Sequence, residues 1–139
     1  MSAISLLREH ADGVHRNGSG PKPRGKARLW AQHVDRRREC VVVRVEGELD
    51  AAAFSEFFQA LDRAAESDCH AIVVDLRAAR FLSLRVAATL GAVKQNRDAR
   101  GGPDLRIVAG RQVIERALEV TEVRGLFHRY ASMRAALHG

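Results

Sequence analysis

Short apolar runs with strand-forming side chains constrain this fold more than any other feature of the sequence. Cys40–Val45 is a β-branched run followed by the turn-forming residues Glu46-Gly47-Glu48, and Ala71–Leu76 is apolar along nearly its whole length. Runs as short as these are typical of strands that are covered on both faces, as they are in parallel sheets. We therefore expect a buried sheet with helices on its faces.

Strand-type and helix-type patterns alternate from about residue 28 onward. The predicted strands are Leu29–Val34, Cys40–Val45, Ala71–Leu76, Leu105–Ala109 and Leu126–Tyr130. The predicted helices are Ala52–Glu66, a segment with Val86, Leu90 and Val93 at helical spacing that stops at Gly101-Gly102-Pro103, then Val113–Val120 and Ala131–Leu137. Such alternation predicts right-handed crossovers. The expected fold is α/β, with a mostly parallel five-stranded sheet, the first strand at an edge, and about four helices.

The positive charge is concentrated in the N-terminal arm and around the first predicted strand. Residues 1–39 hold nine Lys and Arg against four Asp and Glu, whereas the remaining hundred residues hold fourteen against thirteen. Glycines and prolines crowd the same region, so we predict a flexible basic arm at 1–27 and one domain at 28–139. A nucleic-acid-binding domain carries its basic face on the folded body, so nucleic acid is not the expected partner. A phosphate-binding role for the arm is the alternative to a solubilising tail.

Several classes of function lack their usual sequence signals. No serine stands in a Gly-x-Ser-x-Gly turn, and no glycine-rich phosphate loop is followed by Lys and Ser or Thr. The histidines and cysteines lack the spacing of a metal site. No apolar run approaches the ~20 residues of a membrane span. We expect a non-catalytic, cytoplasmic protein without a metal or cofactor.

The two cysteines, Cys40 and Cys69, each lie just before a predicted strand. If those strands are parallel neighbours, both thiols stand at the same end of the sheet. One hypothesis is therefore a redox pair. The alternative is two ordinary reduced thiols, as expected of a cytoplasmic protein.

Three motifs, in this order and spacing, carry a resemblance to a known family. They are Val41–Asp50, a strand ending in Gly-Glu-Leu-Asp; Ala71–Leu76 followed by Phe81-Leu82-Ser83; and Leu105–Gly110 followed by Val113–Leu118 and Gly125-Leu126-Phe127. Together they resemble a STAS domain, the fold of bacterial anti-sigma factor antagonists. The resemblance covers about Arg28 to Leu137.

The resemblance implies a regulatory role and also shows a departure from the family. In the family, a serine that opens a helix is phosphorylated by the anti-sigma factor, and the added charge breaks the complex. Here Arg85 stands in the place of that serine, Leu84 in the place of the serine before it, and Ser83 in the place of an aspartate. The resemblance thus implies docking without the usual serine switch. Ser83, two residues early and expected in the loop before the helix, is a candidate displaced phosphosite.

The predicted partner-binding residues lie where the second and third strands end. They are Asp50, Ser83, Leu84 and Arg85, together with an exposed helix face at Lys94 and Arg97. An aspartate at position 50 is equally suited to capping the helix that follows. The expected partner is an anti-sigma factor or a related regulatory protein with an acidic surface opposite Arg85. The alternative function is a sensor of a small ligand such as a nucleotide, bound at the same edge by Arg77, Arg80 and Arg85.

Overall fold

The computed structural model describes residues 27–33, 40–128, 130 and 132–138. Its strands are β1 (Arg28–His33), β2 (Cys40–Leu49), β3 (Ala71–Leu82) and β4 (Asp104–Ala109), and its helices are α1 (Phe54–Glu66), α2 (Leu84–Arg100), α3 (Gln112–Val120) and α4 (Met133–His138). Two short 3-10 turns, Ala51–Ala53 and Arg124–Leu126, precede α1 and follow α3. The predicted arm at 1–27 lies outside the described residues except for Ala27.

The strands form one sheet in the order β1-β2-β3-β4. The first strand is at an edge and antiparallel to β2. Both other pairings, β2 with β3 and β3 with β4, are parallel. The predicted α/β class is confirmed, and the described residues form four helices and four strands.

The expected fifth strand, Leu126–Tyr130, does not form within the described residues. The amide of Leu126 donates to the carbonyl of Val123 (2.9 Å) and that of Phe127 to the carbonyl of Arg124 (3.3 Å), which closes a 3-10 turn. The turn uses the first residues of the expected strand. Phe127 then packs against the core on one face of the sheet and Tyr130 against the small cluster on the other. Among the described strands, β4 is the second edge of the sheet.

Helices cover the two faces of the sheet unequally. Three helices pack on one face, where Phe57 of α1, Leu90 of α2 and Ile114 of α3 are fully buried in the main core. Of the helices in the described part of the chain, the short α4 alone covers the other face, where Ala136 packs on Val73 and Val108. The helix α2 ends at Gly101, whose φ of 73° is the left-handed conformation that favours glycine at a helix end.

The strands β2 and β3 are longer than the sequence indicates. β4 pairs with β3 only as far as Leu76. Beyond that point β3 continues beside β2, through two register shifts, until Leu49 meets Leu82. Gly47, expected in a turn, lies within the strand at φ 91°, next to one of these shifts. The two strand ends therefore project past β4 as a two-stranded ribbon.

A charged network joins α2, β4 and α4. One carboxylate oxygen of Asp104 accepts from Lys94 Nζ (2.9 Å), and the other accepts from Arg106 Nε (2.8 Å). Arg106 Nη1 also donates to the carbonyl of Ala136 at 2.6 Å. Burial raises the pKa of Asp104, but its bonds to the two cations outweigh burial, so that the pKa lies below its ordinary value. Lys94 and Arg106 are both buried and therefore depend on this carboxylate.

We predict that Asp104→Asn lowers the free energy of unfolding at pH 7 by about 2 kcal/mol. This is below the usual cost of breaking a buried pair because the Asp104 side chain is 37% exposed. Since its pKa is lowered on folding, the contribution is full well above pH 3.8 and is lost as the pH falls below that value. Urea titrations of both proteins at several pH values measure the difference.

The matched control is Asp98→Asn, because Asp98 also pairs with Lys94 but its side chain is 54% exposed. Its loss is expected to cost at most about 0.5 kcal/mol. Equal losses for the two variants would contradict the role given to Asp104.

Candidate functional site

The ends of β2 and β3 meet at one edge of the sheet. The amide of Ser83 donates to the carbonyl of Leu49 at 3.0 Å, which joins the two strand ends directly. β2 leads into Asp50 and the turn before α1, and β3 leads into α2. We call the residues Asp50, Arg80, Phe81, Leu84 and Arg85 the carboxyl-edge surface. It contains three of the predicted partner-binding residues.

Asp50 caps the 3-10 turn that precedes α1. Its Oδ1 accepts from the amide of Ala52 at 3.1 Å, and its carbonyl accepts from the amide of Ala53 at 3.0 Å. The capping interpretation is thus confirmed, with the difference that the turn separates Asp50 from the helix itself. The carboxylate stays at the surface, half-buried, beside the start of α1.

Ser83 is the N-cap residue of α2. Its Oγ accepts from the amide of Val86 at 3.1 Å, and its carbonyl accepts from the amide of Ala87 at 3.0 Å. Ser83 therefore precedes the first residue of the helix, as expected, and it also caps the helix, which the sequence analysis did not predict. The helix begins one residue later than Ser83, because a hydroxyl acceptor at this position satisfies an amide that has no partner within the helix.

Arg85 lies over an aromatic ring of α1. Its guanidinium carbon is 4.3 Å from the centre of the Phe54 ring, within the range of a cation–π contact. Arg85 is otherwise exposed. The contact holds the start of α2 against the start of α1 and keeps a positive charge at the carboxyl-edge surface.

Two large apolar side chains are exposed in the segment that leads into Arg85. Leu84 is 53% exposed and Phe81 is 42% exposed. Phe81 was not among the predicted site residues. The alternation of side chains along β3 explains the exposure of Phe81: Leu82 faces the core, so Phe81 points to the opposite face of the strand.

The predicted exposure of Lys94 and Arg97 is wrong. Lys94 is only 8% exposed and holds Asp104, while the Arg97 side chain is 15% exposed with Nη2 3.3 Å from Asp62. Positions 86, 90, 94 and 97 recur at helical spacing, so Lys94 and Arg97 lie on the core side of α2. Both side chains form ion pairs with aspartates of the same domain.

The three arginines proposed for a nucleotide have separate partners. Arg77 donates to the buried carboxylate of Asp75 from its amide, Nε and Nη2 at 3.1, 2.9 and 3.0 Å. Burial raises the pKa of Asp75, but these bonds outweigh it and the pKa lies below its ordinary value. Arg80 lies 4.0 Å from Glu48, and Arg85 lies on Phe54. This separation gives little support to a shared phosphate site.

The two cysteines contact different helices. Cys40 Sγ lies 3.9 Å from the carbonyl of Leu137 in α4, and Cys69 Sγ lies 3.2 Å from the carbonyl of Ala64 in α1. These helices cover opposite faces of the sheet, which counts against a direct bond. Burial raises the pKa of Cys69 above its ordinary value. The redox pair stays a prediction.

Within residues 27–33, 40–128, 130 and 132–138, no three His, Cys, Asp or Glu side chains are grouped to hold a metal ion. The helices of the same ranges are too short or too polar to cross a membrane.

Within the described residues, the fold is an α/β domain with a mixed four-stranded sheet whose longest parallel strands end at one edge. Residues 31–136 match the model of the STAS domain. The chain therefore belongs to the STAS domain family. No curated protein matches it significantly.

Solved structures agree with this assignment. An anti-sigma factor antagonist from Mycobacterium paratuberculosis is 23% identical, with a TM-score of 0.69 over 81% of this chain and 92% of that one. The unphosphorylated anti-sigma factor antagonist SpoIIAA is 15% identical, with a TM-score of 0.64 over 79% and 94%. A Shewanella loihica protein with a SpoIIAA-like fold is 15% identical, with a TM-score of 0.52 over 86% and 98%. At these identities the likeness establishes the fold.

We predict that Ser83→Ala lowers the free energy of unfolding by about 1 kcal/mol, because one amide of α2 loses its cap. Ser83→Asp should stay close to the original stability, since aspartate caps as well as serine. Ser55→Ala is the control, because Ser55 is exposed in the first turn of α1 and caps nothing there. Thermal and urea unfolding measure all three; an unchanged Ser83→Ala would contradict the capping role.

Proposed function

We propose that the protein is a non-catalytic cytoplasmic regulator that docks an anti-sigma factor, or a related regulatory protein, through the carboxyl-edge surface. Two of its structural neighbours are anti-sigma factor antagonists, which supports the class of partner. The side chains exposed at the carboxyl-edge surface support the location of the docking site.

The observation that carries the proposal is the exposure of two large apolar side chains, Phe81 near the end of β3 and Leu84 at the start of α2, with Arg85 the next residue. Isolated apolar side chains are common on surfaces, but here two large ones stand three residues apart in the sequence. Aromatic residues and arginines are enriched at the centres of protein interfaces. A segment that exposes a phenylalanine, a leucine and an arginine has this composition.

Arg85 sets the chemistry of the partner. Its charge stays exposed while the Phe54 ring holds the side chain in one place. A side chain restricted in this way loses less conformational freedom on binding. A carboxylate on the partner, opposite Arg85 and next to an apolar contact for Leu84, would complement the surface.

Arg85 also stands where the family resemblance places the serine whose phosphorylation controls docking. Arginine has no hydroxyl to accept a phosphoryl group, and its positive charge replaces the roughly −2 charge that a phosphoserine would bring. The oxygen of the nearest serine, Ser83, is already used as an acceptor in the helix cap. Docking would therefore be insensitive to phosphorylation at this position, and another signal would control it.

We expect Arg85→Glu and Leu84→Asp each to weaken binding to the partner at least about tenfold, a loss of about 1.4 kcal/mol. The partner is first captured with the full chain from its source cells and identified as an anti-sigma factor or a related regulatory protein, then purified and titrated against each variant. Arg100→Glu is the matched control, because Arg100 is exposed at the far end of the same helix.

The control should bind within about twofold of the original chain. Unchanged binding by both Arg85→Glu and Leu84→Asp would overturn the location of the surface. Failure to capture any anti-sigma factor or related regulatory protein would overturn the proposed class of partner.

A further inference from the structure

The helix α4 is held on its face of the sheet by few contacts. It has six residues, and of these only Ala136 is fully buried. Met133 and Leu137 are partly buried beside it, in a small cluster with Val73 and Val108. Because a helix of this length is not stable by itself in water, α4 depends on what binds it to the sheet.

One buried guanidinium binds the last turn of α4. Arg106 Nη1 donates to the carbonyl of Ala136 at 2.6 Å, and we call this bond the Arg106 clamp. The last carbonyls of a helix have no partner within it, so the clamp satisfies one of them. Arg106 is itself only 6% exposed and is oriented by Asp104, which accepts from its Nε at 2.8 Å. The position of α4 therefore depends on a charged group that belongs to β4.

The start of β2 lies against the same helix. Cys40 is fully buried, and its Sγ lies 3.9 Å from the carbonyl of Leu137. Val42, two residues further along β2, packs against the small cluster. Cys69, in contrast, contacts the carbonyl of Ala64 in α1, on the opposite face of the sheet. The two thiols therefore report on different helices.

We propose that α4 is a releasable cover, which detaches from the sheet as one unit while the rest of the domain stays folded. Elements with few buried apolar contacts open at a lower free energy than the whole domain, and α4 is such an element. The Arg106 clamp sets how often it opens. Release exposes the Cys40 thiol and the apolar cluster beneath the helix, whereas the main core on the opposite face keeps its contacts. This surface is separate from the carboxyl-edge surface.

Thiol labelling of the full chain with DTNB tests the proposal. The chain has two cysteines, so Cys69→Ala leaves Cys40 as the one thiol and Cys40→Ala leaves Cys69. Arg106→Met should raise the rate at which Cys40 is labelled at least about tenfold, while the labelling of Cys69 changes less than about twofold. Asp104→Ala should also accelerate the labelling of Cys40, because the guanidinium loses the carboxylate that orients it.

Lys94→Met is the matched control. Lys94 binds the other oxygen of Asp104, so this change removes a buried cation from the same network and leaves the Arg106 clamp in place. The labelling of Cys40 should then stay within about twofold of the rate in the original chain. Ala136→Asp places a charge among the apolar side chains beneath α4, and it should accelerate labelling as Arg106→Met does.

Urea separates the release of α4 from the unfolding of the whole domain. Because the release of a short helix exposes little surface, the labelling of Cys40 should depend on urea much less than global unfolding does. An equal urea dependence would overturn the proposal, and so would labelling of Cys40 that Arg106→Met and Ala136→Asp leave unchanged. Equal acceleration by Lys94→Met would also overturn it, because the labelling rate would then follow overall stability and not the clamp.

Discussion

The parallel pairing of β2 with β3 is the constraint on which the rest of the structure depends. It starts where Cys40 meets Ala71 and continues to Leu49 and Leu82, six residues beyond the last position that β4 pairs. Because both strands run in the same direction, the residues that follow them emerge at the same edge. The hydrogen bond from the Ser83 amide to Leu49 then fixes the start of α2 against the end of β2.

Much of the fold could be predicted because apolar periodicity reports burial directly. The strands at Cys40 and Ala71, the helices and the cap at Asp50 follow from local pattern and turn chemistry. The failures have physical causes of another kind. The first residues of the strand expected at Leu126–Tyr130 form a 3-10 turn instead. Lys94 was expected to be exposed because it is charged, although its helical spacing places it on the core side of the helix. Long-range partners such as Asp104 are not visible in local sequence.

The candidate site was predictable in position but not in composition. Asp50, Leu84 and Arg85 lie at the expected edge, whereas Phe81 became visible only when β3 proved long enough to turn it outward. Arg85 connects two properties of this edge: it rests on Phe54, and it stands where the family resemblance places a phosphorylated serine. Under the proposed function, the fold of the family is retained while the residue at its usual control point is changed, which agrees with function residing in sites and not in folds.

Hydrogen exchange of the complex with the purified partner, with and without ATP and Mg²⁺, tests the central claim most directly. Binding at the carboxyl-edge surface predicts slower exchange at the amides of residues 81–87, and the absence of a serine switch predicts that this protection persists when ATP is present. Protection confined to another face would contradict the docking surface. Protection that disappears with ATP, together with a phosphate on Ser83, would contradict docking that is independent of phosphorylation.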